Sequence, residues 1–292
     1  VKGAPPLSPR LSRLDSRKGA LIPRYSSGLM GGPMSTTVAA RHSLLEPAID
    51  AARAAGEIVL AVYGTDFGVR SKSDASPVTE ADERAEAAIV ARLQALAPDV
   101  PVVAEESVAG GAAPQIADRF WLVDPLDGTK EFISRNGEFT INIALIEHGR
   151  PVLGVVFAPA LGRLFAGCAH GGAFVDEGGV RRPIGCREVP AEGLTVVASR
   201  SHGDAVALYA LLAGQRVARV VSAGSSLKLC MVAAGEADLY PRLGRTMEWD
   251  IAAGHAVLAA AGGEVMSLDE RPLRYGKPGF ENPHFIARGR RV

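Results

Sequence analysis

The chemistry in this sequence is concentrated in acids placed at the ends of apolar runs. Trp121-Leu122-Val123 leads directly into Asp124-Pro125-Leu126-Asp127-Gly128-Thr129, so a hydrophobic strand delivers two carboxylates three residues apart. A carboxylate at the carboxyl end of a strand stands where open sheets bind ligands. Pro125 restrains the turn. Asp127 and Thr129 sit where a helix would begin, and the unpaired backbone N–H groups of such a terminus suit an anion. Two hard carboxylates beside it are what Mg²⁺ chemistry on a phosphate requires, since Mg²⁺ takes oxygen ligands and shares phosphate oxygens. Taken alone, the segment reads equally well as a polar strand-to-helix turn with Asp127 as N-cap. Two other segments repeat the arrangement. Val102-Val103-Ala104 runs into Glu105-Glu106-Ser107, and Glu248-Trp249-Asp250 opens an apolar helical run. Each has an ordinary alternative, a solvated loop for Glu105 and Glu106 and an N-cap for Asp250. Three independent apolar elements ending in acids point to one convergent site.

The elements that must position these acids follow from periodicity. Folded sequence begins near Ser43, where Leu45, Ala48, Ile49, Ala52, Ala55, Ile58, Val59 and Val62 recur at helical spacing until Gly64. A second helix follows Thr79, with Ala85, Ala88, Ile89, Leu93 and Leu96 on one face, and Thr79-x-x-Asp82 reads as its capping box. Strands are expected at Val102–Ala104, at Phe120–Val123 ending on Asp124, across Ile141, Ile143 and Leu145, and at Val152–Phe157 after a His148-Gly149 turn. Leu164–Ala166 and Ala173–Val175 continue the β pattern. Beyond them strands alternate with helices: Leu194–Ala198, helix Ala205–Leu212, Val217–Val221, helix Ser225–Ala234, Asp238–Tyr240, helix Ile251–Ala261, Glu264–Met266 and Phe285–Ala287. The first part reads as α+β, helices over an antiparallel meander, and the second as α/β. No repeat or Gly/Ser linker divides them. We expect an N-terminal half over residues 41–185, a C-terminal half over 186–292, and the site between them.

Composition narrows the field. The chain has 292 residues, 47% of them hydrophobic, with 32 basic and 32 acidic side chains. A balanced charge gives no global field toward nucleic acid or an anionic membrane, and no apolar stretch approaches the roughly 20 residues that span a bilayer. Cys168, Cys186 and Cys230 are scattered, odd in number and without a C-x-x-C pair, which fits unpaired thiols in the reducing cytoplasm. Residues 1–40 differ: up to about Thr37 they are rich in Ser, Pro, Gly and Arg, with Asp15 the only acid. They are expected to be a disordered or non-native extension, preferred over a transit peptide because Gly and Pro break any amphipathic helix.

The Glu105-Glu106-Ser107, Asp124-Pro125-Leu126-Asp127-Gly128-Thr129 and Trp249-Asp250 segments, in this order and spacing, resemble the inositol monophosphatase superfamily of lithium-sensitive phosphatases. The likeness runs from about residue 44 to the C-terminus. It implies a layered αβαβα sandwich shared with the fructose-1,6-bisphosphatases. It also implies two or three Mg²⁺ ions per active site, held by Glu105, Asp124, Asp127, Asp250 and the Leu126 carbonyl. Thr129 then matches the threonine that orients the attacking water, and Asp82 the aspartate hydrogen-bonded to that system.

Further segments resemble one branch of this superfamily, the bacterial 3'(2'),5'-bisphosphate nucleotidases of sulfur assimilation. These are Lys130-Glu131-Phe132, Glu138-Phe139-Thr140-Ile141-Asn142, Ala198-Ser199-Arg200-Ser201-His202, Gly224-Ser225-Ser226-Leu227-Lys228 and the run Gly235 to Arg242. That branch removes the 3'-phosphate of adenosine 3',5'-bisphosphate. The resemblance assigns substrate contacts to Gly128, Thr129, His202, Ser225, Lys228 and Arg242. Taken singly, Lys228 is an ordinary solvated charge, Arg242 a loop residue and His202 a structural histidine. Cys230-Met231 departs from the branch, whose members often carry an aromatic there, and bears on packing near the base pocket. The implied reaction is in-line attack by a metal-activated water, with Glu105 and Thr129 positioning it. No nucleophile elbow, P-loop or H-E-x-x-H motif is present. The rivals are an inositol or sugar phosphate phosphatase and, from another class, an inactive nucleotide- or metal-binding relative. A small-molecule nucleotide partner and a monomer or homodimer complete the expectation.

Overall fold

The computed structural model describes residues 33–71, 77–112, 114–199 and 205–289. Helix α1 (Pro33–Tyr63) is followed by the short strands β1 (Val69–Ser71) and β2 (Pro77–Thr79), which pair antiparallel. Helix α2 (Glu80–Leu96) leads to β3 (Val102–Ala104), α3 (Glu105–Ala109), β4 (Arg119–Asp127) and α4 (Thr129–Ile133). A meander of β5 (Thr140–Glu147), β6 (Arg150–Ala158), β7 (Arg163–Cys168), β8 (Gly172–Glu177) and β9 (Val180–Ile184) completes the first part. The second contains β10 (Leu194–Ser199), α5 (Ala205–Leu211), β11 (Val217–Ala223), α6 (Leu227–Ala233), β12 (Leu239–Arg242), α7 (Glu248–Ala260), β13 (Gly263–Ser267) and β14 (Phe285–Gly289).

Helix α1 starts at Pro33, not near Ser43, so the expected extension already contains helix. Proline suits a first helical position because its φ is preset and its missing N–H would be unpaired there anyway. The segment before Ser43 lacks the apolar period that marks the remainder of the helix, which is why the pattern does not reveal it. Strands β1, β2 and β9 and helix α3 have too few apolar residues to register by period.

Strands β3 to β9 form a seven-stranded sheet in chain order, parallel only between β3 and β4. The second sheet has the order β11-β10-β12-β14-β13. Side-chain alternation along the strands sets the layers. All eight residues of β5 are buried, so both faces of the large sheet are covered. Ile141, Ile143 and Leu145 pack with α1 and α2, whereas Ala144 and Ile146 pack with α6 and α7. Each such large aliphatic contributes about 1.5–3 kcal/mol by leaving water. On the small sheet Val197 faces the same middle layer, while its neighbour Val196 packs with Leu212 and Leu208 at α5. The order is therefore helix, sheet, helix, sheet, helix, the expected αβαβα sandwich.

One contact fixes the middle layer. Gly154 and Gly167 are directly paired across β6 and β7, and α7 rests on them. A Cβ on Gly154 would lie 2.3 Å from the Ala253 carbonyl oxygen, and one on Gly167 would lie 2.9 Å from Ala260 Cβ. Neither backbone can yield without lifting α7. Gly154→Ala is expected to destabilise the protein by about 1–3 kcal/mol and, because α7 begins beside Asp250, to lower activity as well. Urea unfolding measures the first effect, and an unchanged midpoint would show that the helix does not need this floor.

Candidate active site

The parallel pairing of β3 with β4 sets Ala104 beside Val123. The next residues are Glu105, which opens α3, and Asp124 on β4, so the two acids emerge side by side. Strand β4 then departs from expectation, since it runs on to Asp127 instead of ending at Asp124. Asp124 pairs with Asn142 and Asp127 with Thr140. Three steps on β4 thus match two on β5, and the extra residue is a bulge. Pro125 has no N–H to give a ladder and belongs at such an irregularity. In a regular strand, residues three apart point to opposite faces; the bulge brings both aspartates to one. Asp124 also accepts the Leu126 N–H (3.0 Å), which closes the turn. Gly128 follows with φ of 90°, a left-handed conformation that glycine adopts without strain, and α4 starts at Thr129.

Asp250 arrives from the far side, in the first turn of α7. Its Oδ2 accepts the Met247 N–H (2.9 Å), so it closes its own helix start as well as facing the cleft. Two residues earlier, the fully buried Glu248 accepts from the Gly276 N–H (2.6 Å), the Lys277 N–H (2.9 Å) and Lys277 Nζ (2.6 Å). This clasp fixes the angle at which α7 enters.

Oxygens of Glu105, Asp124 and Asp250 lie within 4.8 Å of one another. Asp127 stands next to them. Burial pushes its carboxyl up to about 6, the charges of Glu131 and Glu105 push the same way, and Lys228 opposes them. Burial likewise raises Asp250 well above the ordinary carboxylate range, with Asp127 and Glu105 adding to it. Asn142 Nδ2, 3.4 Å from Asp127 Oδ2 and 3.2 Å from Ser226 Oγ, ties the β4 bulge to the start of α6. An all-oxygen donor set with surplus negative charge fits a hard divalent cation and not a thiol-loving one.

Asp82 fulfils both of its expected placements. Its Oδ2 accepts the Thr79 N–H and hydroxyl, each at 2.7 Å, and its Oδ1 is 3.5 Å from Thr129 Oγ1. That hydroxyl also lies 3.3 Å from the Leu126 carbonyl oxygen.

Glu105, Asp127 and Asp250 line a cleft of about 540 Å³ together with Ser225, Lys228, Tyr240, Arg242 and Thr246. Lys228 is not a solvated charge. It is 5% exposed, donates to the carbonyls of Ala223 and Ser225, and sits 5.5 Å above the Tyr240 ring. Burial lowers its pKa to about 8, an effect that Asp127 resists. Arg242, on β12 and not on a loop, is 9% exposed and donates through Nη2 to the Arg245 carbonyl (2.7 Å). Arg242 Nε, Ser225 Oγ and Thr246 Oγ1 are buried without a hydrogen-bond partner. Three unsatisfied polar atoms in one cleft call for a polar ligand. His202 lies outside the described residues. Cys230 points into the core between the sheets, away from the cleft. Tyr240, Asn142 and Glu248 lie within segments named above but were given no role there, and Thr246 lies outside them, because only the tertiary fold shows what these side chains touch.

Comparison with known proteins identifies the architecture. Residues 40–288 match the inositol monophosphatase family. The chain belongs to that family. The 3'(2'),5'-bisphosphate nucleotidase CysQ of Escherichia coli strain K12 is 50% identical over 246 residues, spanning 83% of this chain and 98% of its own. The crystal structure of CysQ from Bacteroides thetaiotaomicron, a bacterial member of the family, superposes with a TM-score of 0.73 at 40% identity, covering 86% of this chain and 98% of that one. The inositol monophosphatase of Anabaena sp. PCC 7120 superposes with a TM-score of 0.67 at 28% identity, covering 85% and 90%.

The raised carboxyl of Asp127 sets a pH dependence. A carboxylate whose folded pKa exceeds its unfolded value contributes stability at low pH that is lost as pH rises through the folded value. For Asp127 this window runs from about 4 to about 6. A divalent cation reverses the loss by replacing the proton. Added Mg²⁺ is thus expected to raise the thermal unfolding midpoint at pH 7.5 and to do little at pH 5. Equal shifts at both values would refute the coupling.

Proposed function

We propose that this chain is a Mg²⁺-dependent phosphomonoesterase, a 3'(2'),5'-bisphosphate nucleotidase that converts adenosine 3',5'-bisphosphate to AMP and phosphate. The observation that carries this reading is that one cleft is lined both by the carboxylates Glu105, Asp127 and Asp250 and by the buried cations Lys228 and Arg242, with Arg242 Nε, Ser225 Oγ and Thr246 Oγ1 unpartnered. A substrate with two phosphates needs both sets of groups, one for the reacting phosphate and one for the phosphate that stays.

Glu105, Asp124, Asp127, Asp250 and the Leu126 carbonyl would hold two or three Mg²⁺ ions. When bound, these ions lower the pKa of a water and neutralise charge on the phosphoryl oxygens. The protein's own groups do the remainder. Thr129 Oγ1, set between Asp82 and the Leu126 carbonyl, is placed to orient the attacking water and to relay its proton toward Asp82. Glu105 lies on the same side and shares that positioning. The new P–O bond would form from the water oxygen as the bond to the ribose 3'-oxygen breaks in line; the 3'-oxygen takes its proton from a solvent water, and Asp82 returns the proton it accepted to solvent. The backbone N–H groups that follow Gly128 at the start of α4 face the phosphate. Lys228, protonated at neutral pH because its pKa stays near 8, holds the remaining phosphate with Arg242 and Ser225, and His202 completes the nucleotide contacts. We place the enzyme in the cytoplasm, a reading supported by unpaired thiols at Cys168, Cys186 and Cys230.

Phosphate release from adenosine 3',5'-bisphosphate and from inositol 1-phosphate, each with Mg²⁺ and with EDTA, tests the proposal. We expect Mg²⁺-dependent preference for the nucleotide. Lys228→Ala and Arg242→Ala should each lower kcat/KM for the nucleotide by about 30-fold or more, the usual loss on removing a buried charge partner, and spare the inositol ester. Equal or better turnover of the inositol ester by the unaltered enzyme would sink the nucleotidase assignment and leave the metal site standing.

A further inference from the structure

Helix α3 carries Glu105 yet lacks any cap of its own. The residue before it is Ala104, which has no side chain to accept a hydrogen bond, and the helix is five residues long. The first-turn N–H groups of a helix need an acceptor, ordinarily the side chain of the N-cap residue. Here the acceptor comes from elsewhere in the chain. Glu86, on α2 and 6% exposed, takes the Glu106 N–H at 2.7 Å on Oε2, and the Ser107 N–H at 2.8 Å and Ser107 hydroxyl at 2.5 Å on Oε1. Those are the second and third residues of the helix, the donors that a local cap would serve, and a carboxylate there also meets the positive end of the backbone dipoles.

The same face of α2 carries Asp82 one turn earlier, since residues four apart are neighbours on a helix. Asp82 reaches Thr129 at the start of α4, and Glu86 reaches the turn that contains Glu105. One rigid helix thus grips both acid-bearing segments. We infer that Glu86 is a positioning residue that caps the Glu105-Glu106-Ser107 turn from α2 and so holds the Glu105 carboxylate in register with Asp124 and Asp250. Within Glu105-Glu106-Ser107, the first residue joins the acid cluster, and the other two give their backbone N–H groups, and Ser107 also its hydroxyl, to Glu86. The inference rests on the reading of Glu105 as a metal ligand.

The test titrates the metal-free full-length protein with Mn²⁺ alone, which takes the same hard oxygen donors, and counts free ion by its paramagnetic resonance signal. Glu86→Ala should bind about 10–100-fold more weakly, the range for losing a group that orients a ligand. Ser107→Ala, a milder change, should weaken binding a few-fold. The metal concentration for half-maximal turnover should rise in parallel, with most of kcat recovered at saturating metal. Leu93→Ala loosens α2 in the core without touching the turn, so it should lower thermal stability and leave Mn²⁺ affinity unchanged. Unaltered Mn²⁺ affinity in Ser107→Ala and Glu86→Gln would overturn the inference, even should Glu86→Ala not fold. So would an equal loss in Leu93→Ala. Glu105→Gln separates the two levels. If it abolishes binding while Glu86 and Ser107 variants bind normally, only the positioning role fails; if it too binds normally, the ligand reading fails and takes the inference with it.

Discussion

Carboxylates held within 4.8 Å of one another repel strongly, and the structure is arranged around holding them there. At an effective dielectric near 20, two unit charges at that distance repel by roughly 3–4 kcal/mol. Three such pairs approach the whole stability of an ordinary domain, about 5–15 kcal/mol. The protein cannot relax the repulsion by letting the side chains swing away, because each acid is anchored by its backbone. Asp124 is locked by the turn to Leu126, Asp250 by its own helix start, and Glu105 by its place at the start of α3, directly after the pairing of Ala104 with Val123. The relief that remains is a proton or a cation: burial raises the carboxyls of Asp250 and the neighbouring Asp127, and the nearby acid charges add to that rise.

Anchoring three acids requires rigid elements on every side. Helix α7 must enter at a fixed height, which the Gly154–Gly167 floor provides, and at a fixed angle, which Glu248 provides through its three bonds to Gly276 and Lys277. Helix α2 supplies the opposite boundary through Asp82 and Glu86. Buried carboxylates that bind backbone N–H groups recur at each boundary. They place negative charge where fixed donors neutralise it, and they leave the acids of the cleft as the ones in surplus.

Much of this was legible in the sequence because it is local. The order of helices and strands follows from apolar periods that switch between two and 3.6, whereas the αβαβα layering was implied only by the family resemblance; the Thr79–Asp82 capping box, the His148-Gly149 turn and the acids that follow β3 and end β4 were visible in neighbouring residues. What was not legible depends on distance. The bulge at Pro125 appears only when β4 is laid against β5, since three residues must be counted against two. Glu86 lies 20 residues before its backbone partner, on a helix where an acid at a polar position carries no signal. Lys228 and Arg242 look like surface charges until α6 and β12 are folded into the middle of the molecule. The opening of α1 escaped because a helix start without an apolar face has no period to read.

The same packing ties the segment that carries Lys228 to the acid-bearing strands. Gly224, just before the cationic segment, donates its N–H to Glu138 Oε2 at 2.7 Å, and a Cβ there would lie 2.6 Å from the Glu138 carbonyl oxygen. Glu138 precedes β5, the strand that pairs with the acid-bearing β4, so one short contact links the acidic half to the cationic half. The seam leaves no room for even a methyl group. Lys228 is one turn further along and shares the charge environment of Asp127, Glu131 and Glu138. Its ammonium is therefore placed relative to the acids by backbone contacts and not by a flexible stem.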